Sequence, residues 1–203
     1  MARENVDSYL ENLANILGNV LQSDIELLAS EIYDIAVAGG WIFVAGNGGS
    51  AATADHWAND LSKLTMVNDR SWIRALSLTQ QVSVFTAWAN DASYEQAFSQ
   101  VLRHYRSSHT SDLVVALTTS GQSSNIIHLL QESRHLGIKS IVITGNHQNR
   151  AAEWADRTVT LPTRDTQFLE DIHLILGHVV SKSLRRRWAQ TVESAHQAGS
   201  DTP

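Results

Sequence analysis

The sequence contains no cysteine, only two prolines and no long hydrophobic run. The lack of cysteine excludes both a disulfide framework and a thiolate metal site. No apolar stretch approaches the ~20 residues of a membrane span, and residues 1–8 are polar and charged, unlike a signal peptide. A net charge of −6 argues against a general nucleic-acid binder. We therefore expect a cytoplasmic protein that neither enters a membrane nor binds nucleic acid.

The composition that remains is that of a globular protein. The chain has 203 residues, of which 43% are hydrophobic and 18% are charged. This length is sufficient for one domain with a substantial core. No linker or internal repeat divides the chain. We therefore expect a single domain over residues 1–190, followed by a polar tail over residues 191–203.

Short apolar runs that suit strands alternate with helical patterns along the chain. The predicted strands cover 41–45, 73–78, 113–118, 140–144 and 158–161. The predicted helices cover 3–21, 23–37, 50–64, most of 80–106 with an interruption near 90–91, 124–136, 149–155 and 166–190. This alternation predicts an α/β fold whose parallel sheet is covered by helices on both faces.

The first strand ends in a glycine-rich turn, Gly46-Asn-Gly-Gly-Ser50, which opens a helix. Small residues let backbone N–H groups point at a ligand, and a helix N-terminus supplies positive potential. Such turns are also common without any ligand. The turn by itself therefore leaves open whether it binds phosphate or is an ordinary connection.

A second turn, Thr118-Thr-Ser-Gly-Gln-Ser-Ser-Asn125, follows the third strand and also opens a helix. Its hydroxyl groups are good phosphate ligands, although we expect Ser123 or Ser124 to cap the helix. Both turns lie at the carboxyl ends of parallel strands, where open α/β sheets bind ligands. Together the two turns favour a phosphorylated small molecule, with its phosphate at residues 118–123.

Several titratable side chains lie where they could do chemistry. His56 and Asp60 are one helical turn apart, which suits a metal, an acid–base pair or a plain surface contact. Glu170, His173 and His178 fall among apolar positions of the last helix and need partners there. Glu170 and His178 are separated by roughly 12 Å along the helix, so they do not form a compact chelate. Gly177 costs about 1 kcal/mol in a helix interior, which indicates either close packing or the approach of a ligand beside His178.

In their order and spacing these motifs resemble the sedoheptulose 7-phosphate isomerases, or phosphoheptose isomerases, of the sugar isomerase (SIS) domain superfamily. The resemblance rests on both turns, the His56-x-x-x-Asp60 helix, Asn90-Asp91, and Glu170 with His178. It implies a three-layer αβα sandwich with a five-stranded parallel sheet and extra N-terminal helices. It also implies a homotetramer, with active sites at the subunit interfaces, that converts a ketose phosphate into an aldose phosphate.

Site roles also follow from the resemblance. The implied zinc ligands are His56, Asp60, Glu170 and His178, and Asp60 and His178 are also the implied acid–base pair. The implied substrate-binding residues are Asn47, Gly48, Gly49, Ser50, Asn90, Asp91, Thr118, Thr119, Ser120, Ser123 and Glu170. We further predict that helix 3–21, which has an apolar stripe, packs in the subunit interface.

Two positions depart from the usual pattern of that family. It commonly has Glu where this chain has Asp60, and Gln where it has Glu170. The shorter Asp60 carboxylate reaches less far, which would slow proton transfer or suit a different sugar phosphate. The alternative to an isomerase is a non-catalytic relative, either a tetrameric scaffold that binds the replication initiator or a sugar-phosphate sensor. Ionisable groups at all four ligand positions favour the enzyme.

Overall fold

The protein is an α/β sandwich of three layers. The computed structural model describes residues 6–68, 73–108, 111–146 and 148–200. The helices are α1 (Val6–Gly18), α2 (Gln22–Val37), α3 (Gly49–Lys63), α4 (Val82–Asp91), α5 (Ala97–Tyr105), α6 (Ser124–His135) and α7 (Thr166–Ser200). The strands are β1 (Trp41–Ala45), β2 (Arg74–Ser77), β3 (Leu113–Leu117), β4 (Lys139–Gly145) and β5 (Arg157–Leu161).

All five strands are parallel, in the order β2-β1-β3-β4-β5. Strands of such a sheet are apolar on both faces because helices cover both. Ile42 and Val44 of β1 face a core made with α2, α3 and α7, whereas Phe43 and Ala45 face a second core made with α5 and α6. The predicted five-stranded sandwich is therefore confirmed.

The strand order changes direction between β1 and β3. The chain leaves β1 toward β2 on one side and leaves β3 toward β4 on the other. Ligands of open α/β sheets bind in the crevice at such a switch point, outside the carboxyl ends of the strands. Both turns identified in the sequence begin there, after Ala45 and after Leu117.

Three element predictions differ from the structure. Helix α7 does not end at about residue 190 but continues to Ser200, because nothing in Thr191–Ser200 stops a helix until Gly199. The helix expected over 149–155 is a single 3₁₀ turn, Ala151–Glu153. The first helix begins at Val6 in the described residues and ends at Gly18, earlier than predicted.

Helix α1 packs partly against its own chain. Its apolar stripe rests on the core formed with α2 and α7, through side chains that are half-buried: Leu13, Ile16 and Leu17. The Tyr9 hydroxyl donates to Asp171 Oδ2 over 2.8 Å, and its ring lies 4.5 Å from that of Phe168. Leu10 remains 60% exposed. Among the described residues, no helix combines the length and apolarity that crossing a bilayer requires.

Candidate active site

The glycine-rich turn leads directly into α3, and its glycines leave the backbone open to close approach. Gly48 stands at the N-cap with φ +56°, a left-handed conformation that glycine adopts at little cost. No side chain caps this helix. Glu170 of α7 occupies the space beside Gly49, where a Cβ atom would overlap its carboxylate. A glycine is therefore required at position 49 for the Glu170 carboxylate to approach the backbone.

The hydroxyl-rich turn after β3 is held by hydrogen bonds from its own backbone N–H groups to its hydroxyl side chains. Thr118 is buried and its Oγ1 accepts from the Gly121 N–H over 3.3 Å, while Ser120 Oγ accepts from the Gln122 N–H over 3.3 Å. The prediction that Ser123 or Ser124 caps α6 is wrong, because Ser123 takes the N-cap position without a side-chain cap bond and Ser124 is already the first helical residue. The Ser123 hydroxyl and the α6 N-terminus are therefore both directed to a potential anion site.

A small polar pocket of about 50 Å³ lies between the two turns. It is lined by Asn47, Ser50, Leu117, Thr118, Thr119, Ser123 and Glu170. Gly48, Gly49 and Ser120 belong to the same two turns but do not line it. Asn90 and Asp91 lie elsewhere, exposed at the end of α4, where Asn90 Nδ2 donates to Asp91 Oδ1 over 2.9 Å.

Two residues that were not predicted as site residues, Asn125 and Tyr94, connect the turns by hydrogen bonds to Asn47. Asn125, which is 1% exposed, exchanges two amide hydrogen bonds with Asn47, of 2.9 and 2.8 Å. Asn125 Oδ1 also accepts from the Ile126 N–H, and the Tyr94 hydroxyl donates to Asn47 Oδ1 over 2.8 Å. The position of Asn125 directly after the serines of the second turn was a usable signal in the sequence. Nothing in the sequence indicated Tyr94.

His56, Asp60 and His178 converge on α3 and α7, the two helices that also carry the pocket residues Ser50 and Glu170. The two Nε2 atoms are 2.9 Å apart, and Asp60 Oδ2 lies 3.3 Å from His56 Nε2 and 3.6 Å from His178 Nε2. The Asp60 side chain is 5% exposed, whereas each histidine is 44% exposed. Side chains of two helices that are distant in the sequence thus form one cluster.

These three side chains fit a divalent metal ion. Asp60 Oδ2 is buried and has no hydrogen-bond donor among the described residues. A buried carboxylate oxygen is costly unless a proton donor or a cation balances it. Ligand atoms of a tetrahedral zinc ion are about 3.3–3.6 Å apart, given metal–ligand bonds of about 2.0–2.2 Å. The two separations from Asp60 Oδ2, 3.3 and 3.6 Å, fall in that range, and the 2.9 Å between the two Nε2 atoms is shorter. These atoms are the only such group in the described part of the chain.

Glu170 is not part of this group of metal-capable atoms. Its carboxylate rests against Gly49 and lines the pocket instead, two helical turns from His178. Of the four metal ligands predicted from the sequence, the structure therefore brings together three. The fourth, Glu170, faces the pocket between the two turns.

His173 is the buried titratable group of α7. It is fully buried, and burial lowers its pKa to about 4, while an interaction with the Ile143 backbone acts weakly in the opposite sense. Neither ring nitrogen makes a hydrogen bond of normal geometry within the described ranges. The ring is therefore neutral at pH 7 and belongs to the core rather than to the site.

Comparison with known proteins identifies relatives of this chain. The SIS domain family model matches residues 8–145. The phosphoheptose isomerase of Akkermansia muciniphila is 34% identical over 166 residues, 82% of this chain and 86% of that protein. That of Aneurinibacillus thermoaerophilus is 31% identical over 180 residues, 86% of this chain and 89% of that protein.

A solved structure of a phosphoheptose isomerase from Francisella tularensis superposes with a TM-score of 0.80 and 25% identity. The superposition covers 89% of this chain and 96% of that one. Fold and sequence identity therefore agree, and the chain belongs to the SIS domain family and, within it, to the phosphoheptose isomerases.

Proposed function

We propose that this protein interconverts a ketose phosphate and an aldose phosphate, with sedoheptulose 7-phosphate or a related long-chain ketose phosphate as substrate. The activity follows from its membership of the phosphoheptose isomerases. One observation supports the site assignment most strongly. His56, Asp60 and His178 bring their ligand atoms together on α3 and α7, the two helices that also carry Ser50 and Glu170 of the pocket between the turns.

The phosphate is proposed to bind at residues 118–123. The Ser123 hydroxyl makes no cap hydrogen bond, and α6 begins directly after it. Hydroxyl donors and the helix dipole can therefore act on the same anion. Ser50, Thr118 and Thr119 line the same pocket. Anchoring the remote phosphate orients the reacting carbons, which is how binding energy lowers the barrier of the chemical step.

Asp60 and His178 are proposed to transfer the protons. One of them removes the proton α to the ketose carbonyl to give an enediol, and the other returns a proton to the neighbouring carbon. Their side chains approach within 3.6 Å of each other, and Asp60 is buried, so both can face one substrate. The bound substrate must cover the partly exposed histidines, because the enediol has to be protected from water.

Zinc is the metal that we propose for this site, held by His56, Asp60 and His178. Nitrogen and carboxylate donors without thiolate suit zinc, and also nickel or manganese. When bound, zinc supplies Lewis-acid stabilisation of the negative charge that develops on the substrate oxygens. Glu170 is proposed as the fourth ligand, which requires its side chain to turn away from Gly49 toward the other three.

Assembly and location complete the proposal. We propose a homotetramer, and we expect the exposed Leu10 of α1 to contact a second subunit. Sugar phosphates are charged and do not cross membranes unaided, so an enzyme that uses them belongs in the cytoplasm with them.

The test is incubation with a panel of ketose phosphates in deuterated water, with and without zinc, following deuterium at the aldose C2. His178→Ala and Asp60→Asn should each lower turnover by about two to four orders of magnitude. The exposed His135→Ala is the matched control and should retain parental turnover. Parental rates in both site variants would contradict the assignment of these residues. A parent that never exchanges the α-proton and binds no metal would instead favour a scaffold or sensor.

A further inference from the structure

Helices α3 and α7 pack side by side and run in the same direction. Two contact regions occur in the same order along both helices. Glu170 lies against Gly49 near the helix starts, and about two turns further along Gly177 lies against Trp57 while His178 lies against His56. Glu170, Gly49 and the two histidines belong to the site described above. The Trp57–Gly177 contact contains no metal ligand and no substrate-binding residue, yet it lies next to both histidines in sequence.

The contact between Trp57 and Gly177 is unusually close. A Cβ atom on Gly177 would lie 2.5 Å from Trp57 Cδ1 and 2.8 Å from Cε2, where ordinary contact begins at 3.4 Å. The indole is 1% exposed and rigid, so it cannot turn aside as a flexible side chain would. The indole thus fills the space that the missing side chain of Gly177 leaves on α7.

A hydrogen bond fixes the same contact along the helix axis. Trp57 Nε1 donates to the His173 carbonyl oxygen over 2.8 Å. In an α-helix that carbonyl is also the acceptor for the N–H of residue 177, four positions later. The indole therefore reaches the α7 backbone at one defined turn, and a shift of α3 along α7 would break this bond.

We propose that Trp57 and Gly177 are a positioning pair that sets the register of α3 against α7. Trp57 directly follows His56, and Gly177 directly precedes His178, so this contact determines how closely the two Nε2 atoms approach. Neither residue touches the proposed metal or substrate. The proposal rests on the metal site of the proposed function, because metal binding is how the register becomes measurable.

The first test is titration of the metal-free full-length protein with Co²⁺, followed by its absorption spectrum. In Gly177→Ala the indole must retreat by about 1 Å, which separates the ligand-bearing helices. We expect the Co²⁺ affinity to fall about 10- to 100-fold, as when other groups that orient metal ligands are removed. Gly18→Ala is the matched control, because a Cβ there meets nothing within 4 Å.

A second substitution separates positioning from a general loss of stability. Phe is shorter than Trp and lacks the indole N–H, so Trp57→Phe leaves room for a methyl group at residue 177. The double variant Trp57→Phe/Gly177→Ala should bind Co²⁺ more tightly than Gly177→Ala alone. Lower thermal stability in Gly177→Ala with parental Co²⁺ affinity and spectrum would overturn the proposal, as would failure of the double variant to recover affinity.

Crystal structures of the metal-free parent and Gly177→Ala give a readout that does not depend on metal. The His56–His178 Nε2 separation should exceed 2.9 Å in the variant. An unchanged separation would refute the positioning role. If the parent itself binds no Co²⁺, the zinc proposal fails, while this comparison still decides the role of Trp57 and Gly177.

Discussion

His173 should make the folded protein about 3 kcal/mol less stable as the pH falls from 7 to 4. The side chain is fully buried, and burial lowers its pKa from 6.5 to about 4. Each tenfold change in proton affinity is worth about 1.4 kcal/mol, so this displacement corresponds to about 3 kcal/mol between the folded and unfolded states. For a protein of ordinary stability this is a large fraction of the total.

The direction follows from where the proton binds. The unfolded chain takes up a proton on His173 near pH 6.5, whereas the folded chain does so only near pH 4. Between these values the unfolded state binds more protons, so stability falls as the pH decreases. Above pH 6.5 the ring is neutral in both states and contributes no pH dependence. Below pH 4 it is protonated in both, and its contribution levels off.

The assay is urea unfolding at fixed protein concentration, from pH 7.5 to pH 4, on the parent and His173→Phe. Other groups titrate in this window, so the informative quantity is the difference between the two free energies of unfolding. That difference should change by about 3 kcal/mol in favour of the variant as the pH falls. His135→Phe, at an exposed position of α6, is the control. Parallel curves for the parent and His173→Phe would refute the assignment of a buried neutral ring.

Two further predictions concern the pocket and the assembly. Glu170→Gln removes a negative charge from the pocket wall. Calorimetry should therefore show inorganic phosphate binding several-fold more tightly, an effect of about 1 kcal/mol. Unchanged phosphate affinity would place Glu170 away from the anion. Removal of residues 1–21 should yield dimers, monomers or aggregate in light scattering, because it deletes α1, and a full-length protein that is already monomeric at micromolar concentration would contradict this.

The sheet could be predicted from the sequence because buried parallel strands are short, apolar and bounded by turns. Leu113–Leu117 is an example, since all five of its residues are buried. The end of α7 could not be predicted in the same way. Residues beyond 190 lack an apolar stripe, but the helix continues because local propensity suffices where no residue stops it. The Tyr33–Thr191 hydroxyl contact of 3.1 Å supports its first extra turn.

The candidate site was predictable only where neighbours in sequence are also neighbours in space. His56 and Asp60 share a helix face, so their pairing follows from spacing alone. His178 comes from another helix, and its 2.9 Å approach to His56 depends on how α3 and α7 pack. A resemblance to a family could supply that pairing, but no periodicity could. The Gly177 anomaly did signal close packing, and the structure identifies Trp57 as its partner.

The amide pair of Asn47 and Asn125 should matter more than its neighbour Tyr94. Asn125→Leu leaves the buried Ile126 N–H without its side-chain acceptor, at about 1–3 kcal/mol, and removes both amide hydrogen bonds of the half-buried Asn47, whose Oδ1 keeps only the bond from Tyr94. Tyr94→Phe removes one hydrogen bond at an exposed side chain, which is worth about 1 kcal/mol at most. The pair therefore dominates the stability of the connection between the two turns.

The same pair should also govern ligand binding, because it joins the glycine-rich turn to the helix behind the hydroxyl-rich turn. Once Asn125 is lost, the two walls of the pocket are no longer fixed relative to each other, and a sugar phosphate must order them on binding. We expect calorimetry to show weaker sugar-phosphate binding for Asn125→Leu and near-parental binding for Tyr94→Phe, with urea unfolding ranking the variants alike. Equal losses in both variants would contradict this ranking, because Tyr94 would then hold Asn47 in place as strongly as the amide pair does.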